Sequence, residues 1–192
     1  MRRSITTLLA SSLVLGLSAT LARAQATPAQ PPVPGPVVVA VPAAAPADVG
    51  SIDSIIAALY DVISGPAGQP RDWNRMRSLF IPGGRLMPTG LRQGTAAMRV
   101  LEVNDYIALS GPQLERVGFR EREIARRTEQ FGHIAHVFST YEGRSETDST
   151  VIRGINSIQL MNDGTRWWVV SVFWEAERPD NPLPARYLQN GS

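Results

Sequence analysis

Near residue 118 the apolar residues of this chain change their spacing. Upstream, Ile52, Ile55, Ile56, Leu59, Val62 and Ile63 recur as they would along one face of a helix. Ser51 is placed to cap that helix, Asp53 lies in its first turn, and Ser64-Gly65-Pro66 ends it. A short second helix is predicted from Asp72, with Trp73, Met76 and Phe80 on one face and Pro82-Gly83-Gly84 as the stop. Residues 84–92 and 97–103 are strand candidates. Asn104 is expected to cap a third helical segment, interrupted at Gly111-Pro112. Downstream, residues 119–130, 133–142, 151–161 and 166–177 alternate with a period of two. Helices first and antiparallel strands last predict an α+β domain, not the βαβ alternation of a nucleotide-binding sheet.

Asp163-Gly164 between the last two strand runs is a two-residue hairpin signal. In that register Leu160 opposes Trp167, Ile158 opposes Val169, Asn156 opposes Ser171 and Gly154 opposes Phe173. This face is apolar except for Asn156 and Ser171 and is expected to pack on the first helix. A polar pair in such a wall either satisfies itself or meets a ligand. The other face carries Trp168, Val172 and Trp174, with Arg153 over Trp174 in reach of a cation–π contact. It fits either a homodimer contact or a solvated sheet with scattered aromatics. A tight turn at Phe131-Gly132 would bring Glu123, Arg127 and His136 to one face. Such a cluster can do acid–base work, or it can be a solvated, salt-bridged strand with a satisfied histidine.

Composition narrows the chemistry. All 19 basic residues are Arg and there is no Cys. Disulfides, thiolate metal sites, cysteine nucleophiles, Schiff bases and Walker-type phosphate loops are therefore excluded. His133 and His136 point to opposite faces of a strand, so no metal site and no cofactor is expected. Residues 1–24 read as a Sec-type signal peptide: Arg2 and Arg3, an apolar stretch, then Ala22-Arg23-Ala24 before Gln25. The protein is accordingly expected in the periplasm or outside the cell. Cleavage removes three of the 19 Arg, leaving 16 against 17 acids, a net charge of −1. That removes the footprint of a nucleic-acid binder, and no later segment is long enough to span a membrane. Residues 25–48 hold seven of the 15 prolines and read as a disordered spacer. Residues 49–178 read as one domain, and residues 179–192 as a Pro-rich tail.

Several stretches carry a resemblance. IDSIIAALYDVISG followed by DWNRMRSLFIPGGRLMP resembles the opening of SnoaL-like domains. FGHIAHVFSTYE, with Gly132 and Ala135, and NSIQLMNDGTRWWVVSVFW resemble a central strand start and a closing hairpin. Over residues 51–177 their order resembles the nuclear transport factor 2-like superfamily. The resemblance implies a cystatin-like cone, a curved antiparallel sheet wrapped around N-terminal helices with a cavity at its open end, often in a homodimer. It implies little about function, because members include isomerases, hydrolases, dehydratases, cyclases and pure binding domains. Isomerase-type members use an Asp base with Tyr and acidic donors; here Tyr60 lies on the first helix, but no Asp falls in the central strands. Glu123 or His136 could stand where cyclase-type members keep an acid–base group, yet no motif matches residue by residue.

Two main functions follow. One is a secreted, non-catalytic domain binding a small apolar ligand through Tyr60, Arg127, His136, Asn156 and Ser171. The other is a cofactor-independent isomerase, dehydratase or hydrolase with His136 or Glu123 as base. A periplasmic interaction module using the outer sheet face is the third reading.

Overall fold

The computed structural model describes residues 41–189. The expected signal peptide and the first part of the spacer lie outside the described residues. The end of that spacer carries a helical turn. Pro46–Val49 forms a helical turn, α1, with Pro at its start, where a missing N–H costs nothing. Ala44 and Val49 pack on the core, and Asp48 accepts two hydrogen bonds from Arg75, at 2.8 and 2.9 Å.

Helix α2, Ile52–Ile63, starts at a capping box in which Ser51 and Ser54 satisfy each other's backbone donors. Helix α3, Trp73–Leu79, is capped by Asp72, whose carboxylate accepts from the Arg75 amide at 2.9 Å. It ends one residue sooner than expected: Phe80 opens strand β1, Phe80–Arg92, whose register breaks between Phe80 and Arg85, around Pro82-Gly83-Gly84. Short strands β2, Thr95–Met98, and β3, Leu101–Glu102, pair back on β1. Helix α4, Val103–Val117, runs through Gly111-Pro112 without interruption. Pro112 forfeits one backbone donor, and the bare Cα of Gly111 lets the Trp73 ring lie against the helix, a Cβ there meeting it at 3.1 Å.

Strands β4, Phe119–Phe131, β5, Ile134–Ser145, β6, Val151–Asn162, and β7, Trp167–Ala176, form an antiparallel meander. The sheet order is β2-β1-β7-β6-β5-β4, with β3 also on β1. The meander brings β7 back beside β1 in parallel, so the expected antiparallel sheet is mixed. The sheet curves around α2, and Ile55, Ile56, Leu59, Met76, Leu79, Phe80, Val137, Ile158 and Val169 are among its buried core.

Two bulges and two turns decide which residues face in. At Asp163 the chain makes a longer turn than expected. The Asp163 carboxylate accepts from the Thr165 and Arg166 amides, and Trp167 pairs with Asn162 rather than Leu160. A bulge between Gln159 and Leu160 then shifts β7 again, so that Asn156 opposes Trp174 and Ser157 opposes Phe173. Val172 and Trp174 therefore face the helices, while Ser171 and Phe173 face outward. Arg153 pairs with Glu177, not with Trp174. The cation–π contact in this hairpin is Arg166 over Trp168, 3.6 Å from the ring centre.

The expected tail also has structure. After β7 the chain turns at Arg178–Asn181 and crosses the outer face of the sheet, with a 3₁₀ turn at Ala185–Tyr187. Leu183 donates its amide to Glu177, Arg127 donates to the Arg186 carbonyl, Thr140 donates to the Tyr187 carbonyl, and the Phe138 and Tyr187 rings lie 4.9 Å apart. Among the described residues no helix is long and apolar enough to cross a membrane.

Candidate functional site

A cavity of about 460 Å³ opens between α2, α4 and the concave face of the sheet. Its walls are mostly apolar, with Leu59, Ile63, Leu86, Leu114, Phe119 and Trp174 among them. Glu121, Tyr60, Tyr106, Tyr141 and Asn156 are the groups that bring chemistry into it. Missing side chains make the room. Gly143 lies opposite Glu121, and a Cβ on it would meet the Phe119 ring at 2.5 Å. Gly154 lies opposite Tyr141, and a Cβ on it would meet the tyrosine oxygen at 2.5 Å. A side chain at either position would push an aromatic wall into the cavity.

Glu121 is held at the backbone. The end of α2 is bridged to the start of β4 through Gly65 and Phe119, and the Glu121 amide donates to the Ser64 hydroxyl at 2.9 Å. Burial among aromatic and aliphatic side chains pushes the Glu121 carboxyl up to about 7, and a hydrogen bond from Asn156 offsets part of that rise. Burial also raises Tyr60, Tyr106 and Tyr141, and the nearby Glu121 charge adds to the rise in each, so all three phenols stay protonated. The site thus pairs a carboxyl group near half-ionisation at neutral pH with an amide and three phenols in an apolar enclosure. That arrangement can accept or release a proton, and it can grip a hydroxyl or carbonyl group on an otherwise apolar molecule.

From the cavity a buried polar chain runs outward. Asn156 Nδ2 donates to the Tyr60 hydroxyl at 3.1 Å, Tyr60 bonds Ser139 Oγ at 2.6 Å, and Ser139 donates to Glu123 Oε1 at 2.5 Å. Glu123 Oε2 accepts from Arg126 Nε at 2.9 Å and Nη2 at 2.6 Å, and Arg126 also reaches Asp53. Tyr60, Ser139 and Asn156 are each less than a tenth exposed.

The structure separates the residues singled out from sequence. Tyr60 and Asn156 line the cavity. Glu123 faces the same side but belongs to the polar chain and to a neighbouring cleft of about 550 Å³, which Tyr60 and Glu121 also border. The turn between β4 and β5 falls at Gly132-His133, so His136 opposes Glu129 and Arg127 opposes Phe138. Between Glu123 and Ala125 a bulge reverses the alternation, which sends Arg127 outward with His136. His136 bonds Ser157 Oγ at 3.0 Å and packs edge-on against Phe138. Ser171 pairs with Gln159 on that same outer face. The Glu–Arg–His cluster and the Asn156–Ser171 pair therefore do not form, and Glu123, His136 and Asn156 do not meet in one cavity. Glu121 was overlooked in sequence, although simple alternation from Phe119 places it inward and opposite a glycine. Among the described residues no group of three or more His, Asp or Glu side chains is placed to hold a metal ion.

No family model and no curated protein matches this chain. Solved structures do. The Kfla4162 protein of Kribbella flavida is 11% identical and superposes with a TM-score of 0.53, covering 67% of this chain and 90% of its own. An NTF2-like protein of unknown function from Silicibacter pomeroyi is 12% identical, with a TM-score of 0.45, over 67% of this chain and 94% of its own. A protein from Parabacteroides distasonis, named provisionally as a ketosteroid isomerase, is 16% identical, with a TM-score of 0.45, over 67% of this chain and 90% of its own. At such identities the likeness is one of architecture, and the superposition on the Kribbella flavida protein carries it: an α+β cone, a curved mixed sheet closed over helices, with its cavity at the open end. The chain has an α+β cone fold, which it shares with the Kribbella flavida protein.

Proposed function

We propose that the protein binds a small, mostly apolar molecule in the cone cavity and recognises one polar group on it through Glu121, Asn156 and the tyrosines. The observation that carries this reading is the cavity itself: about 460 Å³, apolar walls, and a few polar groups gathered on one side. A test uses 2-naphthol, an apolar bicycle with one hydroxyl. Trp174 lines the cavity, so its fluorescence reports occupancy. Saturable binding that is weakened at least tenfold in both Asn156→Leu and Leu59→Trp supports the reading. Binding of equal strength in both variants, or none in the parent protein, refutes it.

A second reading, proton transfer on the bound molecule, is favoured by one feature: the Glu121 carboxyl is pushed up to about 7, where it exchanges protons readily at neutral pH. Turnover that vanishes in Glu121→Gln while ligand binding persists would establish it.

We also propose that residues 1–24 are a cleaved export leader, a reading supported by Arg2-Arg3, the apolar stretch and Ala22-Arg23-Ala24. Mass spectrometry of the secreted or periplasmic protein should give an N-terminus at Gln25, and a retained Met1 would refute it. A homodimer through the outer sheet face is supported by Phe131 and Ile134, 85% and 61% exposed. A sedimentation equilibrium mass of one chain at 100 μM, a concentration of order-of-magnitude choice for a weak contact, would refute the dimer.

A further inference from the structure

We propose that Glu123 is a positioning residue for the cavity: acting through Ser139 and Tyr60, its carboxylate holds the Asn156 amide with its N–H group turned toward Glu121. The inference rests on the reading of the cavity as the binding site.

The argument is one of donors and acceptors. Glu123 accepts on both sides, from Arg126 at Oε2 and from Ser139 at Oε1. A carboxylate has no proton to give, so the Ser139 hydroxyl must donate to it. Having given its one proton, Ser139 must accept from Tyr60. Having given its own, Tyr60 must accept from Asn156, and it does so from Nδ2. The amide nitrogen of Asn156 is thereby fixed toward Tyr60, in the cavity that Glu121 also lines. Each link has one allowed direction because the rim end of the chain is an obligate acceptor.

The surroundings leave few other influences. Around Glu121 stand Tyr60 from α2, Tyr106 from α4, Tyr141 from β5 and Asn156 from β6. Around Glu123 stand Arg126 and, through it, Asp53. Along the cleft that Glu121 also borders the other charges are paired: Arg122 and Arg144 with Glu142, Arg120 with Glu146, and Asp61 with Arg75.

Replacing Glu123 by Gln keeps the shape and breaks the logic. Gln must turn its oxygen to Arg126, since two donors would otherwise face each other. Its NH₂ then donates to Ser139, every hydroxyl downstream reverses, and Tyr60 donates to Asn156. The amide is driven to flip, placing its oxygen beside Glu121 and disfavouring the ionised carboxylate. A simple field effect predicts the opposite sign, because removing the negative charge of Glu123 makes ionisation of Glu121 easier.

The experiment is a carbon-13 NMR titration of the Glu121 carboxyl in the full chain, assigned by its loss in Glu121→Gln. The expected result is a midpoint in Glu123→Gln higher than in the parent protein by about one pH unit. In Ser139→Ala, Tyr60 loses its acceptor and is free to donate to Asn156, so the midpoint rises there too, with no change of charge. In the double variant the two effects are not additive, since one interrupted chain cannot be interrupted twice. A midpoint that falls or stays put in Glu123→Gln overturns the proposal. Should that variant fail to fold, an unchanged midpoint in Ser139→Ala overturns it by itself. The titration needs no ligand, so failure of 2-naphthol to bind the parent protein would sink the binding reading and leave the relay to be judged on its own.

Discussion

Replacing Glu121 by Gln should stabilise the protein, and by an amount that depends on pH. An ordinary Glu carboxyl titrates near 4.5, whereas in the folded chain burial pushes Glu121 up to about 7. Between those two values the native state keeps a proton that the unfolded chain has released. The folded state therefore loses stability as pH rises through that window, and the loss is complete above about 7. The separation of roughly 2.5 pH units, at about 1.4 kcal/mol each, sets the full penalty near 3.5 kcal/mol. Gln buries a neutral group at every pH and escapes it. Its extra N–H needs a partner, which returns about 1 kcal/mol of the gain. Urea unfolding of parent and variant, followed by tryptophan fluorescence, should show the variant ahead by roughly 2.5 kcal/mol at pH 8.5 and the two nearly equal at pH 5. Taking the difference between the two proteins cancels the titration of every other carboxylate. A gap that stays constant from pH 5 to pH 8.5, or a parent protein that is the more stable at pH 8.5, would refute the claim that Glu121 is held in an apolar enclosure. A stabilising loss of a cavity carboxylate is also what a functional group would show, since such groups are kept at a cost to the fold.

Three further substitutions test the scaffold around the cavity. Arg71 is buried and donates to the carbonyls of Ile63, Gly65, Pro66, Gln69 and Leu114; Arg71→Met strands those acceptors and should cost about 3–5 kcal/mol in urea unfolding, and a cost below about 1 would show that water replaces the guanidinium. Tyr60→Phe deprives Asn156 and Ser139 of their shared partner and should cost roughly 1–3 kcal/mol, read as a lower thermal midpoint with unchanged circular dichroism; an unaltered midpoint would mean that the buried chain contributes nothing to stability. Gly154→Ala sets a methyl group 2.5 Å from the Tyr141 oxygen and 2.4 Å from the Glu175 carbonyl, so it should destabilise by about 1–3 kcal/mol and weaken 2-naphthol binding; binding and stability equal to the parent protein would show that this wall yields freely.

What could be read from sequence was the architecture, and the reason is physical. A helix announces itself by Ile52 to Ile63 at a period of 3.6, and its start by Ser51. Four alternating runs after residue 118 announce a sheet. These signals are local, and packing reinforced them. The site was less legible because it depends on register, which a single extra residue reverses. Asp163-Gly164 reads as a two-residue turn, but the Asp163 side chain gathers the Thr165 and Arg166 amides and the Trp168 indole into a longer one. That shift, with the bulge at Gln159, exchanged Ser171 for Trp174 beside Asn156. The bulge after Glu123 separated it from Arg127 in the same way. Asn156 and Tyr60 were recoverable because neither lies beyond a bulge from the elements that define the inner face. Glu121 was also recoverable, two residues from Phe119 and opposite Gly143.

The segment that follows β7 has a mechanical consequence. In a meander each strand is tied to its neighbours, so an edge strand can fray while the rest of the sheet stays intact. Here β4 is an edge, yet it is fastened by Arg127 to a segment whose other end is anchored on Glu177, beyond β7. Two strands lie between those anchor points. Opening the edge therefore means releasing the clasp across the back of the sheet as well. Amide hydrogen exchange along β4 should slow to the rate of the interior strands, and a chain ending at Arg178 should restore the fast exchange of an ordinary edge.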